Sequence, residues 1–311
     1  MWLKTWMDRL FSNNSGENSS EETQPVLPKT SPELQPASLV PGVRGNTVKA
    51  QGFSSGVLSA GWMTDVGKVR SHNEDGLFIF MGEQQSSDAT PTFGLFVLAD
   101  GMGGHEAGEA ASALASRVVA EHLMAQVYLP LLDGQERAAT QPALTEVMED
   151  AVSRANRYVS ERLPGSGTTL TSCLILDGRV FIGHVGDSRT YLHAADNAVQ
   201  QLTHDHSVVS KLVEIGQLTL EEAAVHPQRN MLYRAVGQGT VLDVDVMTHS
   251  LKHGDQLLMC SDGLWGALPD KEMWRIVEEA PTVKDACTRL VAAANAAGGN
   301  DNITVIVIKI L

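Results

Sequence analysis

VLADGMGGHEAGEAA, residues 97–111, is the stretch whose reading decides the fold. It carries an apolar run, Thr92 to Ala99, into glycines and then into a helical pattern. That outline resembles a dinucleotide loop, which needs a third glycine five residues after the first so that helix and sheet can pack closely. Counted from Gly101, that position is Glu106, and the Lys-Ser/Thr ending of a P-loop is missing too. The nucleotide reading fails on these counts, which leaves Asp100 to explain the turn.

Other acids share its setting. Asp262 follows QLLMCS, Asp301 precedes NITVIVIKI, and Glu74 and Asp75 precede GLFIFM. One aspartate at a strand end is commonly a turn former. Four such places in one chain point instead to carboxylates converging at one edge of the sheets. Uncompensated, such a cluster repels itself and raises its own pKa values. Divalent cations remove that penalty, and carboxylate oxygens suit Mg²⁺ or Mn²⁺ better than zinc. Glycines after Asp100 and Asp262 let the backbone come close, so the Gly101 carbonyl is a further candidate ligand. Arg70, four residues before Glu74, reads alone as a salt bridge to Glu74 or Asp75. Beside metals it reads as a bidentate clamp for phosphate.

The totals narrow the class. The chain has 311 residues, 43% hydrophobic and 19% charged, which is a soluble globular composition. With 23 basic against 37 acidic residues the net charge is −14, which argues against nucleic acid or an anionic membrane as a broad partner. Cys173, Cys260 and Cys287 form no zinc or disulfide spacing and read as reduced thiols, so a cytoplasmic location is expected. No apolar stretch is long enough to span a bilayer.

Along the chain, residues 1–11 (MWLKTWMDRLF) place Trp2, Leu3, Trp6, Met7, Leu10 and Phe11 on helical spacing. They read as an interfacial anchor, a helix docking to a membrane or a complex, or a frayed terminus. Residues 12–56, rich in Ser, Pro, Asn, Gly and Glu, are expected to be a disordered linker. From 57 to 311 short strands alternate with helical patterns at about 105–126, 142–163 and 282–297, and Pro269 opens another. Strands are expected at, among others, 57–64, 198–202, 231–236 and 242–250, and Asp177-Gly178 is a hairpin signal. The expected class is α+β: a β-sandwich of two antiparallel sheets flanked by α-helices. His204-Asp205-His206 is a weak candidate for a zinc pair, since adjacent loop residues seldom converge without a third ligand.

Six stretches, TDVGKVRSHNED (64–75), VLADGMGGH (97–105), GTTLT (167–171), HVGDSRTYL (184–192), LLMCSDGLW (257–265) and GGNDNITVIV (298–307), resemble in order the metal-dependent protein phosphatases of type 2C, in their bacterial single-domain branch. The resemblance covers residues 57–311. It implies two Mn²⁺ or Mg²⁺ ions, with Asp100 bridging both and Asp262 and Asp301 on the first. Glu74 and the Gly101 carbonyl would face the second, Asp75 would join the acids from behind, and Arg70 would hold the substrate phosphate. Thr168, Asp187 and Asn302 would be supports, and Arg189 would brace the centre with Asp187. Residues 203–230 resemble the family's flap, which varies with substrate.

The implied reaction is hydrolysis of phosphoserine and phosphothreonine in proteins. Two cations about 3.5–4 Å apart acidify a water that attacks phosphorus in line. A partner serine/threonine kinase is expected to supply the substrates. Two departures stand out. Met102 occupies the place where some relatives carry a general-acid His, so protonation of the leaving alkoxide falls to water on the metals. Pro164 stands three residues before the GTT glycine, where bacterial relatives often have an Asp, so a third metal loses its usual ligand. The alternative is a pseudophosphatase that binds phosphoproteins as a scaffold. It calls for a lost metal acid, and Asp100, Asp262 and Asp301 are all present.

Overall fold

Every residue from Phe93 to Ala99 except Gly94 is a buried hydrophobic, because the strand that holds them is covered on both faces. Phe93, Leu95, Val97 and Ala99 pack toward helices, while Phe96 and Leu98 pack toward a second sheet. A strand buried on both sides reads as a continuous apolar run and not as an alternation. The computed structural model describes residues 47–54, 57–82, 92–104, 106–134, 141–196 and 198–311. Residues 1–46 lie outside the described residues, so the 1–11 segment and most of the 12–56 linker do as well.

The strands are β1 (Val48–Ser54), β2 (Leu58–Asp65), β3 (Asp75–Gly82), β4 (Phe93–Met102), β5 (Gly167–Thr168), β6 (Leu170–Leu176), β7 (Arg179–Val185), β8 (Arg189–His193), β9 (Val199–Gln201), β10 (Asp245–Ser250), β11 (Gln256–Cys260) and β12 (Ile303–Ile310). One antiparallel sheet runs β1-β2-β12-β11-β8-β9, and the other runs β10-β7-β6-β4-β3 with β5 on the end of β4. The helices are α1 (Glu106–Leu123), α2 (Leu129–Leu132), α3 (Leu144–Arg162), α4 (Val208–Glu214), α5 (Leu220–Ala224), α6 (Asp262–Trp265), α7 (Asp270–Glu279) and α8 (Val283–Ala296). A single π turn, Met124–Tyr128, joins α1 to α2.

Three buried clusters define the layers. Ile306 and Ile308 of β12 meet Phe96, Leu98 and Ile182 between the sheets. Val305 and Val307 point the other way, to Leu290 and Val291 of α8 and Ile276 of α7. Ala111, Ala115, Met148 and Val152 of α1 and α3 cover the far side of the second sheet. The result is the expected α+β sandwich, with helices outside both sheets. No helix among the described residues is long and apolar enough to cross a membrane.

Asp177 and Gly178 both take positive φ, 51° and 66°, and turn β6 tightly into β7 as the hairpin signal required. Two expectations need correction. Residues 48–54 form β1, so the linker ends earlier than expected. This short, polar edge strand draws its order from pairing with β2, which composition does not reveal. Residues 231–236 form no strand and make only isolated bridges, Ser207 to Leu232 and Thr168 to Val236. Their backbone is shared between two different partners, so no ladder propagates.

Candidate active site

β4 runs past Ala99 because β5 pairs with its last two residues, Gly101 with Thr168 and Met102 with Gly167. Asp100 is therefore inside the strand and fixed on both sides. Its N–H donates to Thr169 Oγ1 at 2.9 Å, while its carbonyl accepts from Thr169 N–H at 2.8 Å and Thr168 Oγ1 at 2.9 Å. Across the β3–β4 pair it faces Asp75. Burial pushes the Asp100 carboxyl well above its ordinary range, and the charges of Asp75, Asp262, Asp187 and Asp301 push it further.

Asp262 arrives from β11 as the first residue of α6. Burial, then the Asp301 charge, raises it to about 6 against opposing hydrogen bonds from Asp100 and the Gly263 N–H. Asp301 lies just before β12, where its Oδ1 accepts from the Asn302 N–H at 2.9 Å and its Oδ2 from Arg70 at 2.7 Å. The Arg70 side chain is half exposed. Burial works against its charge, but the bond to Asp301 and the nearby acids outweigh that and raise its pKa.

Asn302 ties these pieces together. Its amide donates to the carbonyls of Val66 and His72, and its Oδ1 accepts from the Glu74 N–H at 2.8 Å. The loop carrying Arg70 and Glu74 is thereby held against the start of β12. The Glu74 carbonyl accepts from Gly101 N–H and from Ser112 of α1.

Arg70, Glu74, Asp100, Gly101, Asp187, Asp262 and Asp301 all line one cavity of about 220 Å³. Asp75 does not: it stands behind, with Oδ2 accepting from Ser261 Oγ at 2.9 Å, and burial raises it to about 7. Asp187 is buried, and desolvation and the Asp262 charge hold its carboxyl well above the usual range. Thr168 supports the Asp100 backbone from β5. Met102 lines the same cavity.

Does this set fit divalent cations? Among the described residues no three His, Cys, Asp or Glu side chains already close around one point. The donors are nonetheless hard oxygens lining a common space, and the carboxyls of Asp100 and Asp262 are raised first by burial and then by the charges of neighbouring acids. Asp262 Oδ1 and Asp75 Oδ1 are buried and accept no hydrogen bond. Buried carboxylate oxygens left unpartnered are costly unless a cation or a proton compensates them. The set fits Mg²⁺ or Mn²⁺.

The His204-Asp205-His206 stretch does not converge on a metal. Asp205 is bound by Arg189 through three N–H···O contacts of 2.7–3.1 Å. His206 contacts Asp245 and the Gly186 N–H, whereas His204 offers its carbonyl to His184. The three cysteines are buried, and desolvation raises all three thiols, those of Cys173 and Cys287 to about 12.

Sequence reasoning missed Ser261, which also accepts from Thr304 N–H. Its signal was its place before Asp262 at the start of a helix. Gly108 was missed as well. A Cβ there would fall on Glu74 Oε2, so only glycine lets α1 lie against the acid. A glycine inside a helical pattern was the available clue.

With this geometry in view, the comparisons are specific. The family model described as Protein phosphatase 2C matches residues 61–303. The chain is 36% identical over 253 residues to the serine/threonine phosphatase stp of Listeria innocua, covering 81% of this chain and 96% of that one. It superimposes on the crystal structure of the Mycobacterium tuberculosis serine/threonine phosphatase PstP/Ppp with a TM-score of 0.66 at 33% identity, covering 81% and 98% of the two chains. The PstP catalytic domain in complex with two manganese ions gives a TM-score of 0.66 at 32% identity, covering 82% and 99%.

Proposed function

The chain belongs to the protein phosphatase 2C family and is a serine/threonine protein phosphatase, and we propose that it works with two divalent cations, Mn²⁺ or Mg²⁺, held by the acids described above. In this reading Asp262 and Asp301 would hold one ion, Glu74 and the Gly101 carbonyl would hold the other, and Asp100 would serve both. The observation that carries it is the shared cavity. Asp100, Asp262 and Asp301 line it together, the first two with carboxyls raised by burial and Asp262 with an oxygen left unpartnered, and Arg70 lines it too with a half-exposed side chain. The manganese pair of the PstP catalytic domain supports the same ion count.

When bound, the cations supply Lewis acidity, which acidifies a water and offsets phosphoryl charge. The chain's own residues do the rest. A guanidinium has five N–H donors, so the bond to Asp301 does not exhaust Arg70, which remains able to hold the phosphate. Asn302 fixes the distance between Arg70's loop and Asp301. Thr168 and Thr169 keep Asp100 from drifting along the strand. Asp75 keeps Ser261, and through it the start of α6, in place. Met102 has no proton to give, so the leaving alkoxide takes its proton from water.

The substrates are proteins phosphorylated on serine or threonine, supplied by a cognate kinase, and the setting is the cytoplasm. The test is phosphate release from a phosphothreonine peptide after chelation, with and without Mn²⁺, beside Asp262→Ala and Asp301→Asn. Activity restored only by metal, and absent from both variants, supports the reading. Metal binding without any phosphate release favours the scaffold.

A further inference from the structure

A second cavity, of about 610 Å³, lies beside the one that holds the acids. It adjoins that site, because Asn230, Asp262 and Asp301 line both. Its other walls mix polar residues with an apolar group. Val209 and Val213 come from α4, Leu220 and Ala223 from α5, and Trp265 from the end of α6. A phosphoryl group does not need such a space, but a concave cleft with an apolar wall is what an apolar side chain fills.

Of the charged groups that line the cleft, Arg189 and Asp205 consume one another, and Arg229 lines it as well. Arg189 grips Asp205 through Nε and Nη2 and donates to Tyr191 through Nη1. Its guanidinium lies 3.7 Å from the Trp265 ring centre, so indole and cation form one flat wall. Trp265 is in turn fixed by its Nε1–H, which donates to the Asp187 carbonyl at 3.0 Å. The same cleft is lined by an exposed aliphatic group. Leu220 is 74% exposed at the first position of α5, where a reciprocal cap between Thr219 and Glu222 holds the helix start rigid.

We propose that this cleft is a subsite for a large apolar side chain of the protein substrate, within two residues of the phosphorylated one. The proposal rests on the reading of the acid cavity as the hydrolytic centre. An extended peptide advances roughly 3.3 Å per residue, so a side chain two positions away reaches about 7 Å from the phosphoresidue. That is enough to enter an adjoining cavity that shares three lining residues with the centre. Trp265 and Asp262 sit on the same short helix, so the subsite wall and a metal acid are held by one element.

The experiment uses the full chain with Mn²⁺. It compares p-nitrophenyl phosphate, which has no flanking residues, with phosphothreonine peptides bearing Leu, Phe, Ala or Asp at each of the two positions on either side. The expected result is that Leu or Phe raises kcat/KM over Ala by roughly tenfold at one position at least, with Asp lowest. Val213→Gln and, separately, Leu220→Gln should reduce that preference severalfold while p-nitrophenyl phosphate hydrolysis is unchanged. The exposure of Leu220 keeps the second variant safe from misfolding. Equal rates for all peptides beside normal p-nitrophenyl phosphate turnover overturn the subsite alone, as does an undiminished preference in both variants. No turnover of any substrate overturns the hydrolytic reading, and the subsite with it.

Discussion

Asp75 and Asp100 occupy directly opposed positions across the β3–β4 pair. Like charges placed opposite each other in a sheet destabilise it, and burial enlarges the cost. The strand pair is therefore built around an interaction that opposes folding unless a proton or a cation intervenes. Asp262 and Asp301 add to the same field.

A pH dependence follows, with a definite sign. Asp75 is raised from 3.8 to about 7 and Asp262 to about 6. Between their unfolded and folded values the native state binds more protons than the unfolded chain, so stability falls as pH rises. The stabilisation is fully present below about pH 4 and is lost by about pH 7, at up to about 1.4 kcal/mol per unit for each group. The chelated protein should melt at a higher temperature at pH 5.5 than at pH 7.5, with Mn²⁺ reducing or reversing the difference. A flat melting profile in chelator would count against the charge cluster.

Asp75→Asn isolates the residue that stands behind the cavity. An amide oxygen can still accept from Ser261, while the buried charge disappears. The chelated variant should gain roughly 1–3 kcal/mol at pH 7.5 and lose much of its pH slope. Asp100→Asn should also stabilise the chelated protein, but it should abolish activity. Calorimetry with and without Mn²⁺ separates the two, since only Asp100→Asn should remove the thermal shift that metal produces.

The legible parts of the chain were those governed by local rules. Asp177-Gly178 announced its turn, and the run from Phe93 to Ala99 announced a strand, because turn chemistry and burial leave local marks. The acids Asp100, Asp262 and Asp301 were legible from their places at strand ends, and the structure brings them into one cavity. β1 was not, since an edge strand takes its order from a partner elsewhere in the chain. Nor was the Arg189–Asp205 grip. Sixteen residues separate the pair, and only tertiary packing beside Trp265 makes Arg189 the partner of the middle residue of a His-Asp-His run.

Gly108→Ala should reverse the usual rule for helices. Alanine in a helix interior normally gains up to about 1 kcal/mol over glycine. Here the added methyl meets Glu74 and the Gly101 backbone, so it displaces an acid and a carbonyl assigned to metal. The expected outcome is a roughly 10–100-fold rise in the Mn²⁺ concentration giving half-maximal activity, as for groups that orient metal ligands. An unchanged Mn²⁺ requirement would place Glu74 outside the centre.

Asn302→Ala removes three bonds at once and leaves the Val66 and His72 carbonyls and the Glu74 N–H without that partner. At about 1 kcal/mol each, with a further penalty for groups left buried, the cost is roughly 2–4 kcal/mol. Urea denaturation of the chelated protein measures it without any contribution from metal. Asn302→Asp, which keeps the acceptor for Glu74 and adds a charge beside Asp301, should be worse at pH 8 than at pH 5.

Arg70 has two readings that one experiment separates. It bonds to Asp301 at 2.7 Å, so its role is either to position that acid or to hold the phosphate. Its half-exposed side chain means the ion pair itself contributes only about 0–1 kcal/mol, and Arg70→Ala should barely move the melting temperature. If it holds phosphate, the variant loses a charge-assisted contact, and KM for a phosphothreonine peptide should rise roughly 10–100-fold. The Mn²⁺ requirement should then stay as it was. If Arg70 serves only to orient Asp301, the pattern inverts: the Mn²⁺ requirement rises toward that of Asp301→Asn, and KM at saturating metal is unaltered. Arg70's place in the lining of the acid cavity, with donors beyond the one given to Asp301, favours the first pattern.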